Sequence, residues 1–167
     1  TDTVCKMDFV KTADFETIKS GEFAFYSFSR NISGFITCNL QVLENDTEIY
    51  FIFDESVTKD GFVDPTRLSC ANVVKWTLKK GNYALQTLEP YTLQFAQLIV
   101  KKGAVKPNAV SVRLFENAEC FNITANISDD KLQRILVAAQ NTQAQNSVDL
   151  LMDCPSRERS GWINDIY

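Results

Sequence analysis

Apolar side chains recur at every second position along most of this chain. That alternation limits the fold more than any other feature, because residues two apart share one face of a β-strand, whereas a helix needs a spacing of three or four. Val74, Trp76 and Leu78 against Lys75, Thr77 and Lys79 give one buried and one wet face. Such runs, grouped between turn signals, predict strands over residues 4–10, 22–29, 35–43, 48–54, 73–79, 83–88, 91–100, 109–115, 121–127 and 148–153. The turn signals include Ile32-Ser33-Gly34, Asn45-Asp46, Lys80-Gly81-Asn82 and Glu89-Pro90. Short connections favour antiparallel hairpins, since a parallel crossover needs about a dozen residues or more. The expected class is all-β, mainly antiparallel: a β-sandwich or a closed, prism-like β assembly with one α-helix in the C-terminal half.

That helix is predicted over residues 129–143. Ser128, Asp129 and Asp130 supply an N-cap and an acidic first turn ahead of Leu132, Ile135, Leu136 and Ala139 at helical spacing. Its apolar stripe is expected to plug one end or side of the sheet. The polar face carries Gln and Asn rather than cations, which argues against a membrane surface. At 167 residues and 45% hydrophobic, the chain can close its own core. One domain is expected over residues 1–154, followed over 155–167 by a polar linker and a short apolar tail containing Trp162, Ile163, Ile166 and Tyr167. The opening Thr1-Asp2-Thr3-Val4 lacks the regions of a signal peptide and reads as a mature or truncated start. No run reaches the ~18–20 apolar residues of a membrane span.

The chain contains no histidine, which removes Ser-His-Asp and Cys-His catalysis and His-containing zinc sites. With 17 basic against 21 acidic side chains and no dense basic patch, nucleic acid is a poor partner. Asp54, Glu55, Asp60 and Asp64 surround the Gly61 turn, but their spacing is not an EF-hand and Lys59 sits among them, so no metal or cofactor is expected. Paired carboxylates can run glycoside hydrolysis without histidine. No pair stands out at a suitable separation, however, and no catalytic residue is assigned.

Four N-x-[ST] acceptor triplets begin at Asn31, Asn45, Asn122 and Asn126. On a strand over 121–127, Asn122 and Asn126 would share the wet face, opposite Phe121, Ile123, Ala125 and Ile127. These sites predict an N-glycosylated chain that is secreted or lies on the luminal side of the secretory pathway. The five cysteines lie far apart without a C-x-x-C pair, so structural disulfides are expected. Spacing does not fix their connectivity. The preferred pairing joins Cys5 to Cys38 and Cys120 to Cys154, two loops of similar length, and leaves Cys70 as the odd, buried thiol.

With those two loops, and with the segment Asn-Ile-Ser-Gly-Phe-Ile-Thr-Cys-Asn-Leu-Gln-Val-Leu at 31–43, the layout resembles the luminal domain of lysosome-associated membrane glycoproteins. Cys70, the long middle section and the helix depart from that pattern. The resemblance implies a luminal glycoprotein with a disulfide loop near each end. Aromatics fall on both faces of the strands at 22–29 and 48–54, so one set must meet a covering element, a partner or an apolar ligand. The expected function is non-enzymatic: an extracellular β domain that binds a protein partner or self-associates. The alternative is a carrier of a lipid or another apolar small molecule.

Overall fold

The computed structural model describes residues 16–122, 124–125 and 127–161, together with the backbone at 5–6. Eight strands form one connected sheet: β1 (Cys5–Lys6), β2 (Ile18–Lys19), β3 (Phe23–Val42), β4 (Thr47–Asp54), β5 (Val73–Leu78), β6 (Gly81–Gln86), β7 (Tyr91–Lys102) and β8 (Ala104–Leu114). Their pairings are antiparallel. A short 3-10 turn (Ala118–Asn122) leads into the single helix α1 (Asp130–Asn146). The Asp129 side chain caps α1 by accepting from the backbone N–H groups of Lys131 and Leu132 at 2.7 and 3.1 Å. The mainly antiparallel, one-helix architecture agrees with the alternation and with the N-cap signal.

β3 organises the sheet. Its first part pairs with β7, and residues 34–42 pair with β8 on one side, with residues 37–42 also pairing with β6 on the other. Two strands expected from the sequence are therefore one strand of 20 residues. Ile32-Ser33-Gly34 is not a turn. Gly34 faces both Tyr91 of β7 and Leu114 of β8, and a Cβ there would collide with the Arg113 carbonyl oxygen and Val112 Cγ1. The glycine serves close backbone approach rather than chain reversal. Upstream of it, five steps along β3 from Ser27 to Ile32 match two steps along β7, so residues 28–31 leave the hydrogen-bond ladder.

One face of the sheet forms the core, with Phe28, Phe51, Phe53, Ile32, Ile36 and Leu98 almost fully buried. Burying a side chain of this size contributes roughly 1.5–3 kcal/mol. Tyr26 stacks on Phe51 at 6.3 Å, and Phe53 meets Tyr91 at 4.6 Å. The other face carries Phe25 against Phe95, and Phe23 against Phe62 of the loop at 55–72. Asp54 is fully buried and bonds Arg67 through two contacts of 2.6 and 2.5 Å, while Val63 N–H donates to Gln97 Oε1 at 3.2 Å. The second aromatic set thus meets a loop of the same chain. Two of the acids noted around Gly61 have partners within the chain: Asp54, at the end of β4, pairs with Arg67, and Asp64 accepts from the Thr66 N–H and hydroxyl.

Several expectations need correction. The described residues of 121–127 form no strand: Phe121 and Asn122 belong to the 3-10 turn Ala118–Asn122, which lies against the end of α1 through Cys120 and Ser147. Residues 148–153 form only an isolated bridge between Ser147 and Leu151. Leu132 and Ile135 do not plug the sheet but are 54% and 63% exposed, and the helix residues that become buried are Ala144 and Gln145. The disulfide pairing also fails. Cys5 lies opposite Ser27, so Cys38 stands eleven positions further along β3; at ~3.3 Å per residue this far exceeds the reach of a disulfide. Cys38, Cys70, Cys120 and Cys154 are all free thiols.

Burial pushes the Cys38 thiol up to about 12, which suppresses its reactive thiolate. Iodoacetamide at pH 8 is therefore expected to spare Cys38 in the native protein and to modify it once urea exposes the core. Native-state labelling of Cys38 at the rate of the partly exposed Cys154 would contradict this packing.

Candidate functional site

Residues 28–31 lie outside the register of β3 with β7, and α1 supplies donors to the Asn31 carbonyl. Asn141 Nδ2 and Gln145 Nε2 each reach that oxygen at 3.1 Å, joined by Arg30 Nη1 at 3.1 Å. Glu116, whose side chain is nearly buried, takes Arg30 Nη2 at 2.8 Å and the Ser33 N–H at 2.9 Å. Arg30 also bonds Asn141 Oδ1. Asn117 N–H donates to the Ala144 carbonyl at 2.8 Å. Polar side chains, not an apolar stripe, therefore fix the last turns of α1 to the sheet.

Beyond the helix the chain returns sharply, with Met152 N–H on the Asn146 carbonyl at 2.8 Å, and residues 153–160 close into a loop. Asp153 N–H donates to the Ser160 carbonyl, and Ser160 N–H donates to Asp153 Oδ1, both at 3.0 Å. Arg159 completes the reversal with φ +52°, in the left-handed region. The loop is anchored on the sheet. Thr92 Oγ–H donates to the Pro155 carbonyl at 3.0 Å, the Arg159 guanidinium lies 5.3 Å above the Tyr91 ring, and Arg159 Nη1 is 3.4 Å from Glu89 Oε2. A cavity of about 170 Å³ between the sheet end and the loop is lined by Tyr91, Thr92, Phe115, Gln145, Met152 and Pro155 among others.

The loop gathers two carboxylates and a thiol. Donor atoms of Asp153, Cys154 and Glu158 lie within 4.8 Å of one another. The Cys154 sulfur sits 3.1 Å from Glu158 Oε2 and 3.6 Å from Asp153 Oδ2, and it accepts from Glu158 N–H at 3.4 Å. Arg157 pairs with Glu158 at 2.8 Å. Partial desolvation acts to raise the Asp153 carboxyl. Hydrogen bonds from the Ser160 and Cys154 backbone and from the Cys154 side chain outweigh it and hold the group below its ordinary value. Such an arrangement presents fixed negative charge and hydrogen-bond acceptors at the loop surface, the chemistry needed to grip hydroxyls or to face a developing cation.

The residues singled out from sequence lie elsewhere, apart from Cys154. Asn31 is half-buried at the helix junction, with Nδ2 donating to Glu55 Oε1 at 3.3 Å. Asn45 is exposed and accepts from Lys80 N–H at 3.0 Å; Asn122 is exposed at the end of the 3-10 turn; Asn126 lies outside the described residues. Cys38 is in the core, and Cys120 Sγ is 3.5 Å from Ser147 Oγ. Asp153 and Glu158 were missed because the stretch from Pro155 to Gly161 resembled a linker. A linker has no use for a cysteine, two acids, two arginines and a Gly-Trp pair within ten residues. That density was the available signal.

Residues 122–167 match the family model of the bacterial alpha-L-rhamnosidase 6 hairpin glycosidase domain. No curated protein matches the chain. Among solved structures, a rhamnosidase from Klebsiella oxytoca with rhamnose bound superposes with a TM-score of 0.73 at 15% identity, covering 90% of this chain and 32% of that one. The GH78 family rhamnosidase of Bacillus sp. GL1 gives 0.74 at 17% identity, covering 94% and 16%. The alpha-L-rhamnosidase from Dictyoglumus thermophilum gives 0.65 at 19% identity, covering 90% and 18%. The shared feature at these identities is the fold, and the chain spans between 16% and 32% of the three solved proteins.

These matches overturn the expectation of a non-enzymatic, protein-binding ectodomain, its lipid-carrier alternative and the likeness to lysosome-associated glycoproteins. The matched family model is a glycosidase domain, the superposed proteins are rhamnosidases, and the disulfide loops that carried the likeness are absent.

Because the folded Asp153 is shifted downward, its loop-closing contribution is present above the unfolded value of about 3.9 and is lost as pH falls through the folded value. Carboxyl carbon NMR is expected to place the Asp153 midpoint below about 3.9. A midpoint above that value would contradict the closed loop.

Proposed function

We propose that this chain is part of a glycoside hydrolase acting on α-L-rhamnosides, with β1 to β8 as a supporting β domain and α1 with the 153–160 loop as the beginning of the catalytic part. One observation carries the reading: the family-model match at 122–167 contains the one group of Asp, Glu and Cys side chains that converges among the described residues. The extended superposition on rhamnosidases supports it. We also propose that the sheet folds over into two layers sharing β3, with β1, β7, β4 and β5 in one and β2, β8 and β6 in the other. Residues of both groups, including Phe51, Leu98, Leu40 and Val110, belong to a single core.

In this reading the two carboxylates have different tasks. Asp153, held as an anion by the loop's own hydrogen bonds, suits a sugar hydroxyl or the positive charge that develops at the anomeric carbon. It is a poor proton donor. Glu158, on the exposed side of the loop and paired with Arg157 at 2.8 Å, is the second carboxylate, offered to the glycosidic oxygen by its exposure. Donor atoms within 4.8 Å leave no space for a nucleophilic water between the two acids, whereas an inverting pair stands about 6.5–9.5 Å apart. An inverting route therefore requires a base from beyond this pair.

The test is hydrolysis of p-nitrophenyl α-L-rhamnopyranoside by the intact protein, with other p-nitrophenyl glycosides as controls. Glu158→Gln is expected to lower kcat by roughly 10²–10⁴ with the fold retained. Absence of rhamnoside hydrolysis by the unaltered protein, or full activity in Glu158→Gln, would defeat the proposal.

A further inference from the structure

The segment bearing Glu158 is held at both ends by the start of β7. Pro155 is tied by the Thr92 hydroxyl at 3.0 Å, and Arg159 by the Tyr91 ring and Glu89. Ser156, Arg157 and Glu158 lie between the two anchors, with the Cys70 thiol 3.7 Å from the Ser156 carbonyl as a weaker contact. Resting on the rhamnosidase reading for its catalytic consequence, we infer that Thr92 is a positioning residue: its hydroxyl transmits the rigidity of the sheet to the loop and fixes where the Glu158 carboxylate stands.

Proton counting supports this role. Thr92 is 3% exposed, and its Oγ lies 2.7 Å from Ser33 Oγ, which in turn lies 3.1 Å from Gln145 Oε1. Each hydroxyl carries one hydrogen. Thr92 uses its hydrogen on the Pro155 carbonyl, so it must accept from Ser33. Gln145 Nε2 is committed to the Asn31 carbonyl, which turns Oε1 toward Ser33 as a second acceptor. The chain of donors runs from the sheet interior outward and ends on the loop. The single Ser33 hydrogen goes to Thr92, so Gln145 Oε1, 3.1 Å from Ser33 Oγ, is the competing acceptor to which that hydrogen turns when Thr92 cannot accept it.

The same accounting makes Thr92→Val an informative variant. Valine keeps the shape of threonine and removes the hydroxyl; Ser33 retains Gln145 as an acceptor, so no buried donor is stranded. What is lost is the tie to the Pro155 carbonyl. Loops supported in this way need their fixed points, because a displacement of about 1 Å in a reacting group can cost on the order of 100-fold in rate.

The experiment measures amide hydrogen exchange over peptides spanning 153–161 in the intact protein, together with kcat and KM on the aryl rhamnoside, for Thr92→Val, Thr92→Ser and the unaltered protein. Expected in Thr92→Val are exchange in that segment at least about tenfold faster, strand peptides unchanged, and kcat lower by about 10–100-fold with KM within about twofold. Thr92→Ser restores both. Unchanged exchange at 153–161 overturns the inference even if the protein hydrolyses rhamnosides. Faster exchange in a protein inactive on rhamnosides keeps the anchoring and removes the rhamnosidase reading. If Thr92→Val does not fold, Arg159→Gln releases the other anchor: faster exchange supports the two-point tether and unchanged exchange overturns it.

Discussion

The arrangement depends on the Asn31 carbonyl oxygen, which lies where β3 departs from its register with β7. A carbonyl inside a regular ladder would be spoken for. Here it accepts from Arg30, Asn141 and Gln145, and the Glu116 carboxylate holds the Arg30 guanidinium and the Ser33 N–H beside it. A bulge thus becomes a socket for a helix. Buried polar groups are costly when unpaired and direction-specific when paired, so the junction sets the orientation of α1 where an apolar contact would allow it to slide. One atom at the junction, Asn31 Oδ1, is buried with no hydrogen-bond partner among the described residues.

From that socket the geometry passes to the loop. The end of α1 delivers the chain to Met152, the reciprocal bonds between Asp153 and Ser160 close the loop, and the first residues of β7 hold it from below. Loops give reach to chemical groups and lose precision in return; ties to a sheet restore it. On the proposed hydrolase reading, the β domain has a physical task of its own, namely to keep the loop's anchors still.

The sequence made the sheet legible and the site nearly invisible, for physical reasons. Alternation along 48–54 and 73–79 corresponds to strands with one core face, and the N-cap at Asp129 marks a helix because capping is a local hydrogen-bond requirement. Ile32-Ser33-Gly34 misled because glycine serves both turns and close contacts, and only the neighbouring strand at Arg113 distinguishes them. The stripe of Leu132 and Ile135 misled because amphipathicity says that a face is apolar without saying what covers it. Asp153 and Glu158 were hidden by a linker-like composition; their convergence arises from hydrogen bonds between residues four and seven positions apart, which periodicity does not register.

A crystal structure of the intact protein with L-rhamnose decides whether the loop closed by Asp153 and Ser160 faces the sugar, as proposed. Expected are rhamnose hydroxyl or ring oxygens within hydrogen-bond distance of the Asp153 and Glu158 carboxylates, with the Pro155 carbonyl still on Thr92. Rhamnose bound at a site remote from residues 153–160, with that loop empty, would contradict the proposal.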